Sequence, residues 1–148
     1  MENINDIKKT LYEYCQILGV PRDSYPLVEE RHPIRDGVYF SNTPQYSFCV
    51  AERGQVISRS LCDTTADMYY GILKILSFEI AMHIEAKQRK AGEDPRRQIF
   101  SIQYALLKKV DDEFARMLLA DVEKILCTYP YNDRFFTVTN SREADGTT

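Results

Sequence analysis

Two ionisable residues stand where an apolar helix face would not ask for them. Glu79 and His83 lie four positions apart in the largely apolar run from Tyr69 to Ile84, which makes them neighbours on one helix surface. At about 100° per residue they fall among Ile72, Ile75, Leu76 and Ile80, near the middle of the apolar face. The placement predicts a buried polar pair. A buried carboxylate and imidazole must find hydrogen bonds or give up their charge. Mutual satisfaction, helped by a tyrosine or the backbone, is the ordinary outcome. A general base, a pH-sensitive contact or half of a metal site are the functional ones. With two histidines in the chain, a four-ligand site would have to recruit distant carboxylates or thiols. Neither a metal nor a cofactor is expected.

Other candidates for chemistry are weaker. Cys15, Cys49, Cys62 and Cys127 are widely spaced and form no Cys-x-x-Cys pair, the pattern of reduced, mostly buried thiols rather than a disulfide framework. A cysteine beside His32 or His83 would make a nucleophile and base, but no spacing favours any pairing. The sequence contains no Gly-x-Ser-x-Gly elbow, phosphate-cradling glycine loop or His-Glu-x-x-His helix. No catalytic residue is assigned. Lys87, Arg89, Lys90, Arg96 and Arg97 form a basic cluster, yet Glu85, Glu93 and Asp94 are interleaved with it. A solvated, self-paired surface is the expectation there, with Arg96 and Arg97 held by nearby carboxylates. A net charge of −3 argues against a nucleic-acid partner. Ten tyrosines without a tryptophan combine apolar area with a hydrogen-bonding tip, which suits protein interfaces.

The elements that must position these residues follow from periodicity and punctuation. Ile4, Ile7, Leu11, Tyr14, Cys15 and Leu18 recur at helical steps from Asn3, and Gly19 stands where a left-handed cap would end the helix. Residues 20–36 carry Pro21, Pro26 and Pro33, which exclude a helix or a central strand. The segment is either a functional loop or an extended edge. Gly37 to Asn42, Tyr46 to Glu52 and Gln55 to Leu61 alternate as short strands, with reversals at Asn42-Thr43-Pro44 and Glu52-Arg53-Gly54. Asp63-Thr64-Thr65 opens a long central helix running to about Lys90. Asp94-Pro95 caps and starts a third helix, and Asp111-Asp112 a fourth that Pro130 stops. Arg134 to Val138 reads as one further short strand, and the tail from about residue 140 is polar.

Together these elements predict a single α+β domain over residues 1–148. An N-terminal helix comes first, then a three- to four-stranded antiparallel sheet packed against the long central helix, then two further helices. Met1 to Val20 lacks the continuous apolar core of a secretory signal. Lys74, Ser77, Glu79 and His83 interrupt the longest apolar run, so no membrane span is expected. The reading is a cytoplasmic protein.

Several segments also occur in a telling order. They are Leu18-Gly19-Val20-Pro21, Glu52-Arg53-Gly54 with Arg59, Asp63-Thr64, Gly92 to Phe100 with Gln103, Glu123 to Ile125, and Tyr129-Pro130-Tyr131-Asn132-Asp133. In this the chain resembles the immunity protein 63 family of bacterial polymorphic toxin systems, over about residues 4–133. The resemblance implies a cytoplasmic antidote to a secreted or contact-delivered toxin. Such a protein binds the cognate toxin domain and blocks it stoichiometrically, without catalysis. Charged and aromatic residues gather at turns where packing does not require them. Glu29, Glu30 and Asp36 in the proline-rich segment, Glu52 and Arg53 at the hairpin tip, and Tyr131 and Asp133 after the last helix are the expected toxin contacts. A cytosolic adaptor would use the same surface, and a small ligand-binding protein or enzyme centred on Glu79 and His83 is the remaining alternative.

Overall fold

The computed structural model describes residues 1–31, 33 and 35–134. The chain divides into two compact units, Met1–Leu76 and Ser77–Thr148. In the first, α1 (Ile4–Leu18) starts where the Asn3 side chain accepts the Asn5 N–H at 2.8 Å. It ends at Gly19, whose φ of 80° lets its N–H turn back to the carbonyls of Cys15 and Gln16. Ile7, Leu11, Cys15 and Leu18 form its buried stripe.

Four strands follow in spatial order β1-β2-β3-β4: β1 (Leu27–Val28), β2 (Gly37–Ser41), β3 (Ser47–Glu52) and β4 (Gln55–Leu61). β2, β3 and β4 form the expected antiparallel meander, but β1 lies parallel to β2, with Leu27 opposite Tyr39 and Val28 opposite Phe40. The sheet is therefore mixed. Its fourth strand comes from the proline-rich segment, where Pro26 precedes the pairing residues and Pro33 follows them. Proline is tolerated at such an edge because it removes no central ladder bond. Of the further strand expected from Arg134 to Val138, residues 135–138 lie outside the described residues, as does the polar tail. Between β3 and β4 the turn places Arg53 at φ 53° and Gly54 at φ 78°, the paired positive angles of a tight hairpin.

The first half of α2 (Thr65–Lys87) meets this sheet. Thr64 Oγ1 accepts the Asp67 N–H at 3.1 Å. The Phe48 ring of β3 rests on the backbone at Gly71, and Tyr14 of α1 meets Tyr69 edge-on at 5.6 Å between centroids. Met68, Tyr69, Tyr70, Ile72, Leu73 and Leu76 are buried.

Farther along α2 the structure departs from the helical wheel. Leu73, Ser77, Ala81 and Glu85, spaced one turn apart, are buried, whereas Glu79 and His83 are exposed. The expected buried pair does not form. Apolar residues almost encircle this helix, so the wheel offers little contrast for locating the inner face. The inner stripe is instead set by small Ser77 and Ala81 and by Glu85, which Arg89 clamps through two N–H groups at 3.1 and 2.9 Å.

In the second unit, Asp94 caps α3 (Pro95–Val110), with Pro95 in the first turn, and Asp111 caps α4 (Asp112–Thr128). Both caps accept the N–H two residues on, at 3.0 Å from Arg96 and 2.8 Å from Glu113. α3 and α4 pack as neighbours, burying Ile99, Gln103 and Leu107 from one and Phe114, Ala115, Leu118 and Val122 from the other. Among the described residues no helix is long and apolar enough to cross a membrane.

Candidate functional site

The pairing register brings side chains from three strands into a row. Tyr39 of β2 lies opposite Cys49 of β3, and Cys49 opposite Arg59 of β4. Successive side chains alternate between faces, so these three share one face, and Tyr39, Cys49 and Ala51 are buried there beside Leu27. The segment after β1 is fastened over it. Glu29 donates its N–H to the Phe40 carbonyl at 2.8 Å. Its carboxylate accepts an Arg59 N–H at 2.5 Å and the Cys49 thiol at 3.3 Å. Arg35 donates to the carbonyls of Asp23 and Tyr25, while the Tyr39 hydroxyl donates to the Arg35 carbonyl at 2.8 Å. Glu29 and Arg35 thus strap the segment after β1 to the sheet near its two ends.

Charge within the strap is arranged by these contacts. The hydrogen bonds and positive charge of Arg59 hold the Glu29 carboxyl below the usual range despite its partial burial. Burial, reinforced by the Glu29 carboxylate, pushes the Cys49 thiol up to about 11, and burial pushes Cys15 up to about 12. Both remain thiols at neutral pH and are poor nucleophiles. All four cysteines are free, and only Cys127 is exposed.

Beside the Glu29–Arg59 pair lies a cavity of about 290 Å³ lined by Glu29, Glu30, Tyr39, Cys49, Val56 and Arg59 among others. Two residues along the same ladder, Gly37 pairs with Ala51. Beyond it the Asp36 carboxylate accepts the Arg53 N–H at 2.8 Å. Five of the seven expected contact residues, Glu29, Glu30, Asp36, Glu52 and Arg53, thus lie on the strap and hairpin tip of the first unit.

Tyr131 and Asp133 belong to a different arrangement. Asp133 accepts the Asp94 N–H at 2.7 Å and the Arg97 Nε–H at 3.0 Å. Arg97 lies over the Tyr131 ring at 4.2 Å, with Arg96 at 5.4 Å. Arg96 also donates to the carbonyls of Tyr129 and Pro130, each at 2.8 Å. At the centre is the fully buried carboxylate of Asp94, bonded to Arg96 and to the Asn132 N–H. Burial alone would raise its pKa, but the Arg96 and backbone donors outweigh this and hold it below the usual range. The sequence shows Asp94 as a helix cap; its role as the hub of this network depends on a partner segment about 38 residues away, which no local pattern reveals.

His83 opens on a groove of about 550 Å³ with Met82, Glu85, Arg89, Pro95 and Ile99. Glu79 does not line it, and the carboxylate that does, Glu85, is already held by Arg89. Among the described residues no group of three His, Cys, Asp or Glu is placed to hold a metal ion. Sequence reasoning also missed the openness of β4, whose every residue is exposed. The available signal was Ser58 and Ser60 alternating with Ile57, Arg59 and Leu61, a strand with no cleanly apolar face.

No curated protein and no solved structure matches the chain. The family model described as Immunity protein 63 matches residues 42–124, more than half of it. The chain belongs to the immunity protein 63 family. Membership implies a toxin-neutralising role and a cognate toxin as partner, in a family of typically non-enzymatic inhibitors. The immunity protein 63 match takes in β3, the hairpin tip, β4, α2 and α3. Glu29, Glu30, Asp36, Tyr131 and Asp133 lie outside it.

Proposed function

We propose that this immunity protein acts by occupying the surface of its toxin domain in a stoichiometric complex, in the cytoplasm of the producing cell. The observation that carries the reading is the fastened strap beside the hairpin tip. Side chains already held in the free protein lose less freedom on binding. Glu30 and Glu52 are exposed, and Glu29 and Asp36 are held in place by Arg59 and the Arg53 backbone. With Arg53 exposed between them and the strap, these carboxylates give a rim of both signs, and a toxin surface carrying the complementary pattern would speed encounter and discriminate against wrong partners. Tyr131 and Asp133 we assign to holding the segment after α4 against the start of α3, since both are engaged there with Arg96 and Arg97.

The test is co-expression with the toxin domain encoded beside this protein. Growth should be rescued and the two chains should co-purify, while charge reversal at both Glu30 and Glu52 should weaken the complex by 10-fold or more. Loss of rescue by the intact protein would refute the reading.

A further inference from the structure

The outer edge of β4 offers more than an exposed surface, because its backbone polarity has a register. Cys62 donates its N–H to the Tyr46 carbonyl at 2.8 Å, extending the ladder in which Ser47 faces Leu61. Antiparallel pairs alternate between hydrogen-bonded and non-bonded. Phe48–Ser60 and Val50–Ser58 are therefore the bonded pairs, and Arg59 and Leu61 turn their N–H and C=O groups away from β3. β4 is the last strand of the sheet, so these groups form an open edge. The register shift between Val50 and Ala51 leaves Ile57 as the extra residue of a bulge, so the regular edge runs from Ser58 to Leu61.

Natural edges are commonly blunted by lysine, proline, inward-pointing charge or very short length. β4 is the longest strand in the sheet, with seven residues and neither lysine nor proline. Its one charge, Arg59, is tied to Glu29. Val56, Ile57 and Leu61 are 44%, 57% and 66% exposed. The strand is flanked by Glu52 before the turn and Asp63 after it, both exposed. Resting on the proposed toxin-blocking role, we infer that β4 receives an extended segment of the cognate toxin domain as a fifth strand. Main-chain bonds to Arg59 and Leu61 give the affinity. The incoming segment carries apolar residues to cover Ile57 and Leu61 and basic residues toward its ends, facing Glu52 and Asp63. The edge continues from the hairpin tip and adjoins the cavity at Arg59, so added strand and charged rim form one contact.

Amide hydrogen exchange, resolved by residue, tests this with the full chain alone and with its purified neighbouring toxin domain. In the free protein the Ser58 and Ser60 amides should exchange slowly and those of Arg59 and Leu61 fast. In the complex, Arg59 and Leu61 should slow by 100-fold or more. Leu61→Pro removes an outward N–H while leaving the β3 ladder intact, and should weaken binding at least 10-fold with an unchanged circular dichroism spectrum. Protection that appears elsewhere and leaves Arg59 and Leu61 fast would overturn the added strand while preserving the blocking role. Concentration-dependent protection without toxin would overturn it in favour of a second copy of this chain. Absence of any complex would remove both readings.

Discussion

The ring of Phe48 on β3 occupies the space that a side chain at residue 71 of α2 would need. Glycine inside a helix costs about 1 kcal/mol relative to alanine, so Gly71 is a concession made for close approach between helix and sheet. Gly71→Ala should therefore lower stability despite its better helix propensity, by about 1–3 kcal/mol from overpacking. Urea unfolding of the two proteins measures this; a stabilised variant would mean that Phe48 moves aside freely.

Asp94 joins two chain segments through one carboxylate, which accepts the backbone and guanidinium N–H groups of Arg96 at the start of α3 and the backbone N–H of Asn132 after α4. Replacing it with alanine removes a cap and leaves Arg96 without its buried partner. A loss of about 2–3 kcal/mol is expected, below the range for a fully buried pair because Arg96 keeps access to water. Denaturant midpoints provide the check, and limited proteolysis should show earlier cleavage between Tyr129 and Arg134.

Acid should act through the same groups. Asp94 and Glu29 have carboxyls held below their ordinary values, so the folded state binds fewer protons than the unfolded chain. Their stabilising effect is complete above the unfolded pKa, about 4, and is lost as pH falls through the lower folded values. Thermal midpoints measured from pH 7 to 3 should stay level and then drop below about pH 4. In Asp94→Asn the acid-dependent part of that drop should be smaller.

Thiol chemistry should separate one cysteine from three. Cys15, Cys49 and Cys62 are buried with raised pKa values, whereas Cys127 is exposed. Brief alkylation of the native protein at pH 8, read by mass spectrometry, should label Cys127 alone, and denaturation should expose the other three. Rapid native labelling of Cys49 would show that the strap over Tyr39 and Cys49 opens easily.

Helix ends were the most legible part of this chain. Asn3, Gly19, Asp94, Pro95 and Asp111 each stand at a boundary in the structure, because capping is local chemistry that a short window contains. The β2–β4 meander was legible for the same reason, through alternation and the Arg53-Gly54 turn. β1 was not, since two residues between prolines carry no periodicity and their parallel partner lies 12 positions away. Glu79 and His83 were misplaced because Ile75, Phe78, Ile80, Met82 and Ile84 spread around α2, while small Ser77 and Ala81 face inward. The strap was visible as an acidic, proline-rich segment, but its fastening by Arg59 and Arg35 depends on pairings set only by the folded register.

Titrating a fixed amount of active toxin domain with this purified protein, and reading residual toxin activity, tests the central claim most directly. A blocking protein should abolish activity linearly with a break at one molecule per toxin, and intact toxin should be recovered when the complex is denatured. Inactivation by a small fraction of an equivalent, or recovery of a chemically altered toxin, would contradict the account.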